Sequence, residues 1–196
     1  PSCDQLKLRH MYEAMDLLHQ HAAEVEKTVF FHTANLFNLE VDLIFYDTTT
    51  ASFSIDYEDE DCDDPGLRKF GKSKENTWSP QVVVALAVTR EGLPVRCWVF
   101  PGNTTDATTV EKVRSDLRGW SLGRALFVAD AGINSQDNRD ELGRACGKYL
   151  LACRMANVSE IKRDVLSKRG RYTVIKDNLQ AKEVIIGDGE MRKRYI

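Results

Sequence analysis

No apolar run in this chain approaches the twenty or so residues needed to cross a bilayer. The opening residues, "PSCDQLKLRH", lack the charged start, apolar run and cleavage site of a secretory leader. Their first residue is Pro rather than Met, which is expected of an internal piece of a longer protein. The five cysteines (Cys3, Cys62, Cys97, Cys146, Cys153) are odd in number and never spaced as CxxC. That pattern argues against a disulfide or zinc scaffold and points to a reducing, cytoplasmic setting. In such a setting the sequons at Asn103 and Asn157 are chance matches. Histidine is scarce: all four (His10, His19, His21, His32) fall in one N-terminal segment. His19 and His21, two apart on a helix, face different ways and do not form a metal pair. With no G-x-S-x-G and no His elsewhere, a nucleophilic triad is excluded. "GKSK" (71–74) lacks the glycine spacing of a phosphate-binding P-loop. "GDG" (187–189) is a turn signal.

What is present suits a globular domain: 42% hydrophobic residues for a core and 29% charge for a surface. The net charge of −3 conceals a local extreme. The run "DYEDEDCDD" (56–64) holds seven of the 30 acids, and the rest of the chain carries 27 bases against 23 acids. The acid run reads as a solvated, self-repelling loop. "LRKFGKSKEN" (67–76) and "KRDVLSKRGRY" (162–172) are basic, and Arg68, Lys69, Lys72 and Lys74 are candidates for meeting phosphates.

Apolar positions at three- and four-residue spacing (Leu8, Met11, Met15, Leu18, Ala22, Val25, Val29) predict an amphipathic helix over 4–35, with a break near residue 28. "VDLIFYD" (41–47) reads as a strand and "TASFSIDY" (50–57) as a second, partly exposed one. "QVVVALAVT" (81–89) has the continuous apolar character of a strand buried on both faces. "REGL" (90–93) turns it back into "PVRCWVFPG" (94–102). A helix over 104–117 with Thr or Asp as its cap follows, then strand 124–133. A helix over 135–146 with Ser135 as cap and strand 148–155 complete the pattern. Beyond these, 171–177 and 182–196 read as a β-hairpin or meander. Antiparallel strands followed by β–α–β crossovers imply an α/β fold with a mixed five-stranded sheet and flanking helices.

Two strands end on an acid, "LIFYD" at Asp47 and "ALFVAD" at Asp130. Strand-terminal aspartates commonly cap the following turn. Two carboxylates brought together instead call for a cation between them. Hard oxygen ligands suit Mg2+ or Mn2+, and two such ions can activate water and stabilise the leaving oxygen in phosphodiester cleavage.

The segments "YDTTT", "LRKFGKSKENTWSPQVVVALAVTREGLPVRCWVFPGNTTD", "FVADAGINSQDN" and "YLLACR" resemble the DDE transposases of bacterial insertion sequences, cut-and-paste enzymes with a ribonuclease-H-like catalytic core. The resemblance implies three parts: an N-terminal helical segment (1–40), a partial ribonuclease-H-like core (41–156) and the start of a β-rich insertion (157–196). It places Asp47 and Asp130 as catalytic, metal-holding acids of a two-metal Mg2+ or Mn2+ site. The "aDrG"-like motif is altered at Ala131, where the family often carries a basic residue. "GxSK" matches Gly71, Ser73 and Lys74, and "PGNTxD" matches Pro101 through Asp106, making Lys74 and Asn103 expected contacts to a DNA strand. The third acid, a glutamate on a later helix, is expected outside this chain; Glu183 and Glu190 lack its setting. The implied activity is a metal-dependent DNA endonuclease and strand transferase at insertion-sequence ends, with this piece alone inactive. Mobile-element ends and target DNA are the implied partners, and a homodimer on DNA is left open. A non-catalytic DNA-binding or interaction remnant is the alternative. A phosphatase of the haloacid-dehalogenase type is disfavoured, because Thr49 stands where its second Asp is required.

Overall fold

The computed structural model describes residues 5–61, 65–73, 76–122, 124–146, 148–154, 161–189 and 192–196. They fall into two compact units, Pro1–Ala152 and Cys153–Ile196.

In the first unit, α1 (Leu8–Leu36) is continuous, and the expected break near residue 28 does not occur. The aromatic pair just beyond that point explains this. Phe30 is buried, and Phe30 and Phe31 lie 6.0 and 6.1 Å from the Trp120 ring, which holds the helix through residues 28–31. One turn earlier, Glu26 pairs with Arg96 at 3.5 Å and accepts a bond from the Cys97 amide. The Arg96 guanidinium also stands 5.4 and 5.3 Å from the Trp98 and Trp120 rings and reaches Asp116 at 3.3 Å. A single cation thus ties α1 to the sheet and to the helix behind it. The N-terminal stretch of α1 leaves Leu8, Met11, Met15 and Leu18 exposed.

The sheet contains β1 (Leu43–Ser52), β2 (Lys69–Lys72), β3 (Trp78–Thr89), β4 (Pro94–Pro101), β5 (Leu126–Ala129) and β6 (Tyr149–Leu151). Their order is β2-β3-β1-β5-β6, with β4 also paired to β3. β1, β2 and β4 run antiparallel to β3, and β5 and β6 run parallel to β1. The α/β class and mixed sheet expected from the sequence are present, with six strands in place of five. One strand, β1, replaces those read at 41–47 and 50–57, and β2 lies inside the stretch read as a basic loop. Four residues rich in charge carry little strand signal; pairing with the first residues of β3 makes the strand.

Helices α2 (Asp106–Gly119) and α3 (Gln136–Cys146) follow β4 and β5. Ser135 Oγ accepts the Asn138 amide at 3.1 Å, the cap expected for α3. Thr105 occupies the cap position of α2 but makes no side-chain cap bond. Side chains on one sheet face (Ile44, Tyr46, Ala85, Ala87, Trp98, Phe127) form a core with Val110, Val113, Leu117 and Leu142. Alternation sends the others outward. On that outward face Phe45, Leu86, Val99 and Leu150 are 41–51% exposed.

The second unit is β-rich. Antiparallel pairs join β7 (Thr173–Lys176) to β8 (Leu179–Ala181) and β9 (Val184–Ile186) to β10 (Lys193–Tyr195). A π-helical turn, Ile161–Leu166, buries Ile161 and Val165 with Val184. No helix among the described residues is long and apolar enough to cross a membrane.

Candidate active site

Asp47 is not at a strand tip. β1 continues through Thr48, Thr49 and Thr50, which pair with Ala85, Val84 and Val83 of β3. The β-branched threonines favour this extended path, and the second strand expected from residue 50 is the end of the same one. Burial alternates along it: Ile44, Tyr46 and Thr48 are buried, while Phe45, Asp47 and Thr49 are exposed. Asp47 therefore lies on the open face. Its Oδ1 accepts the Thr48 amide at 2.8 Å.

β5 brings the second acid alongside. Its parallel register pairs Phe45 with Val128 and Tyr46 with Ala129. The next residue along each chain is an aspartate: Asp47 on β1 and Asp130, exposed, immediately beyond β5. Neighbouring strands are about 5 Å apart, so the backbones that carry the two aspartates run next to each other here. The turn after Asp130 is tightly made. Asp130 Oδ1 accepts the Gly132 amide at 2.8 Å, and Asn138 Nδ2 donates to the Ile133 and Ala107 carbonyls, both at 2.9 Å.

Next to Asp47 lie Thr48, in the "YDTTT" segment, and Asp106, the last residue of the "PGNTxD" match, neither of which the sequence reading gave a role. Thr48 Oγ1 donates to Asp106 Oδ1 at 2.6 Å. Tyr46 donates to Thr109 Oγ1 at 2.6 Å, and Thr109 donates to the Asp106 carbonyl at 2.7 Å. Strand alternation carried the missing signal: it puts the Thr48 hydroxyl inside, where it requires a partner. Burial pushes the Tyr46 hydroxyl up to about 12, with Thr109 opposing and the Asp106 and Asp47 charges adding to the rise. The folded-state value thus exceeds the ordinary value near 10. Tyr46 contributes stability that is whole below pH 10 and lost as pH rises towards 12. A Tyr46→Phe variant should lose less stability over that interval than the unaltered chain. Denaturant midpoints at both pH values check this, and equal losses would contradict it.

The basic candidates divide. Lys72 and Asn103 are exposed. Arg68 and Lys69 are occupied by the acid run: Arg68 Nη2 lies 2.5 Å from Asp59, and Lys69 Nζ lies 2.8 Å from Asp61. These partners hold both carboxyls below their usual range. Lys69 also donates to the Asp59 carbonyl and is buried. The acid run is thus folded back on its basic neighbours, at least through Asp61. Lys74 lies outside the described residues.

Gly102 brings the "PGNTxD" loop against the sheet. Its carbonyl accepts Gln81 Nε2 at 2.8 Å, its amide donates to Leu67, and a Cβ there would strike the backbones of Gln81 and Lys69. The loop therefore leads from the sheet into Asp106 at the start of α2.

A family model described as "Transposase DDE domain" matches residues 52–191. The chain belongs to this family. The matched span includes Asp130 and begins five residues after Asp47. Solved structures to which the chain is similar include a Mos1 transposase paired-end complex with left transposon end. It is 14% identical, with a TM-score of 0.38, covering 78% of this chain and 44% of that one. A crystal structure of the Mos1 mariner paired-end complex with Mn is 15% identical, with a TM-score of 0.37, covering 74% and 43%. The chain thus spans less than half the length of these transposase chains. No curated protein matches it.

Proposed function

We propose that this transposase domain takes part in metal-dependent phosphodiester hydrolysis and strand transfer at the ends of a mobile element, with Asp47 and Asp130 holding the metal. The observation that supports this reading is the β1–β5 register, whose last pair, Tyr46 and Ala129, is followed by an aspartate on each segment. The donor set fits Mg2+ or Mn2+: hard carboxylate oxygens at a solvent-open position, where the ion keeps waters and takes further ligands from phosphate. Among the described residues no group of three acids, histidines or cysteines stands close enough to form a complete cage. That is compatible with an ion shared between two carboxylates and a nucleic-acid phosphate. When bound, such ions activate a water or 3′-hydroxyl and stabilise the departing oxygen. The chain's own part is to hold one carboxylate on a strand and the other on the turn after the neighbouring strand. Their mutual repulsion favours cation binding. DNA is the partner this chemistry requires, with Lys72 and Asn103 as exposed contacts beside the sheet.

The test is a DNA-binding titration between 50 and 200 mM salt, which brackets the range where phosphate contacts weaken. Affinity should fall as salt rises, and Lys72→Gln should reduce the log–log slope by about one. Lys69→Gln should leave that slope unchanged, because Lys69 is committed to the acid run. Affinity indifferent to salt would overturn the DNA reading.

A further inference from the structure

The hydrogen bonds from the residues flanking Asp47 converge on one residue, Asp106. Tyr46 and Thr48 flank Asp47 on β1, and both are anchored to the first turn of α2. Tyr46 reaches the Asp106 carbonyl through Thr109, and Thr48 reaches the Asp106 carboxylate directly. The Thr48 bond is 2.6 Å, in the range of charge-assisted O–H···O bonds, and Thr48 is 3% exposed, so water competes little. The other Asp106 oxygen closes on the turn that carries Asp130. A Cβ on Gly132 would lie 2.9 Å from Asp106 Oδ2 and 3.1 Å from Asp130 Oδ1, so both carboxylates crowd the same glycine. Asn138 adds a second tie, bonding the carbonyls of Ala107, next to Asp106, and Ile133, next to Gly132. The start of α2 also favours a negative side chain there, because the unpaired amides of a helix N-terminus carry partial positive charge.

We infer that Asp106 is a positioning residue for the Asp47–Asp130 pair: through Thr48 it fixes the strand that carries Asp47, and against Gly132 it sets the turn that carries Asp130. It sits behind the sheet, bonded to a buried hydroxyl, and serves as the brace between the two acids rather than a third ligand. The inference rests on the metal-site reading. Partners that orient metal-holding carboxylates typically change metal affinity by 10- to 100-fold when removed.

The experiment is Mn2+ binding to the full 196-residue chain, read from the electron paramagnetic resonance of free Mn2+, with thermal unfolding as the fold control. Asp106→Ala and Thr48→Val should each weaken Mn2+ by about tenfold. The double variant should be no worse than either single one, since both break the same bond. Thr48→Ser, which keeps the hydroxyl, and Asp106→Asn, which keeps an acceptor oxygen, should restore most of the affinity. Should Asp106→Ala fail to fold, the Thr48→Val and Thr48→Ser pair with Asp106→Asn carries the same comparison. Folded Thr48→Val that binds Mn2+ as tightly as the unaltered chain would overturn the inference. Asp106→Asn as damaging as Asp106→Ala, with Thr48→Val harmless, would also overturn it, because the residue would then act without the Thr48 bond. Binding indifferent to Asp47→Asn and Asp130→Asn would instead bring down the metal-site reading, and the brace with it.

Discussion

Asp47→Asn or Asp130→Asn, made in a transposase that carries this domain, should lower metal-dependent strand cleavage by about 10³-fold or more. An amide keeps the shape of the carboxylate but removes the charge that a hard cation needs. Metal stabilisation of developing oxygen charge is worth several kcal/mol, and each 1.36 kcal/mol is a factor of ten in rate. Folding should not suffer. Both side chains are exposed at the open face, and removing one of two neighbouring negative charges relieves repulsion. The double variant should be hardly worse than either single one, because groups that act as a unit lose their effect together. A single-turnover cleavage assay beside a melting curve separates the cases. Cleavage retained at a tenth or more of the original rate would leave the pair as structural aspartates.

Phe127→Ala should cost about 3–5 kcal/mol of stability, the range for emptying a buried aromatic site. Phe127 is 2% exposed at the centre of β5, its ring 5.4 Å from that of Tyr46, with the Arg114 guanidinium 5.9 Å from its centroid. Neighbours on β1, β5 and α2 cannot close the space without moving strands that are hydrogen-bonded to each other. The melting temperature should fall by about 6–20 °C, taking 2–4 °C per kcal/mol for a domain of this size. A loss below about 1 kcal/mol would mean the core accommodates the change. Val128→Ala, one position on and facing the other side of the sheet, should cost much less.

Much of the architecture is legible in local pattern. The apolar run at 81–89 is the body of β3, and the "REGL" turn carries Gly92 at φ +82° between β3 and β4. Ser135 caps α3. Each follows from a residue's own conformational preference or from a periodicity carried within one element. The site was legible only as a list. "LIFYD" and "ALFVAD" stand out because a carboxylate ends an apolar run, but a run of threonines is equally at home in a turn or a strand. Pairing with β3 decided for the strand and moved Asp47 from an end to the middle.

The sequence by itself determined the α/β class, the mixed sheet with its crossovers, and the two aspartates as the acids to examine. Tertiary structure alone decided that the strands leading to those aspartates pair in parallel, that Thr48 bonds Asp106, and that Arg68 and Lys69 face the acid run. The difference is one of range. Hydrophobic period and turn chemistry act over a few residues and are written along the chain. Strand register, a hydrogen bond between residues 48 and 106, and the partner a charge selects exist only once distant segments have been packed together.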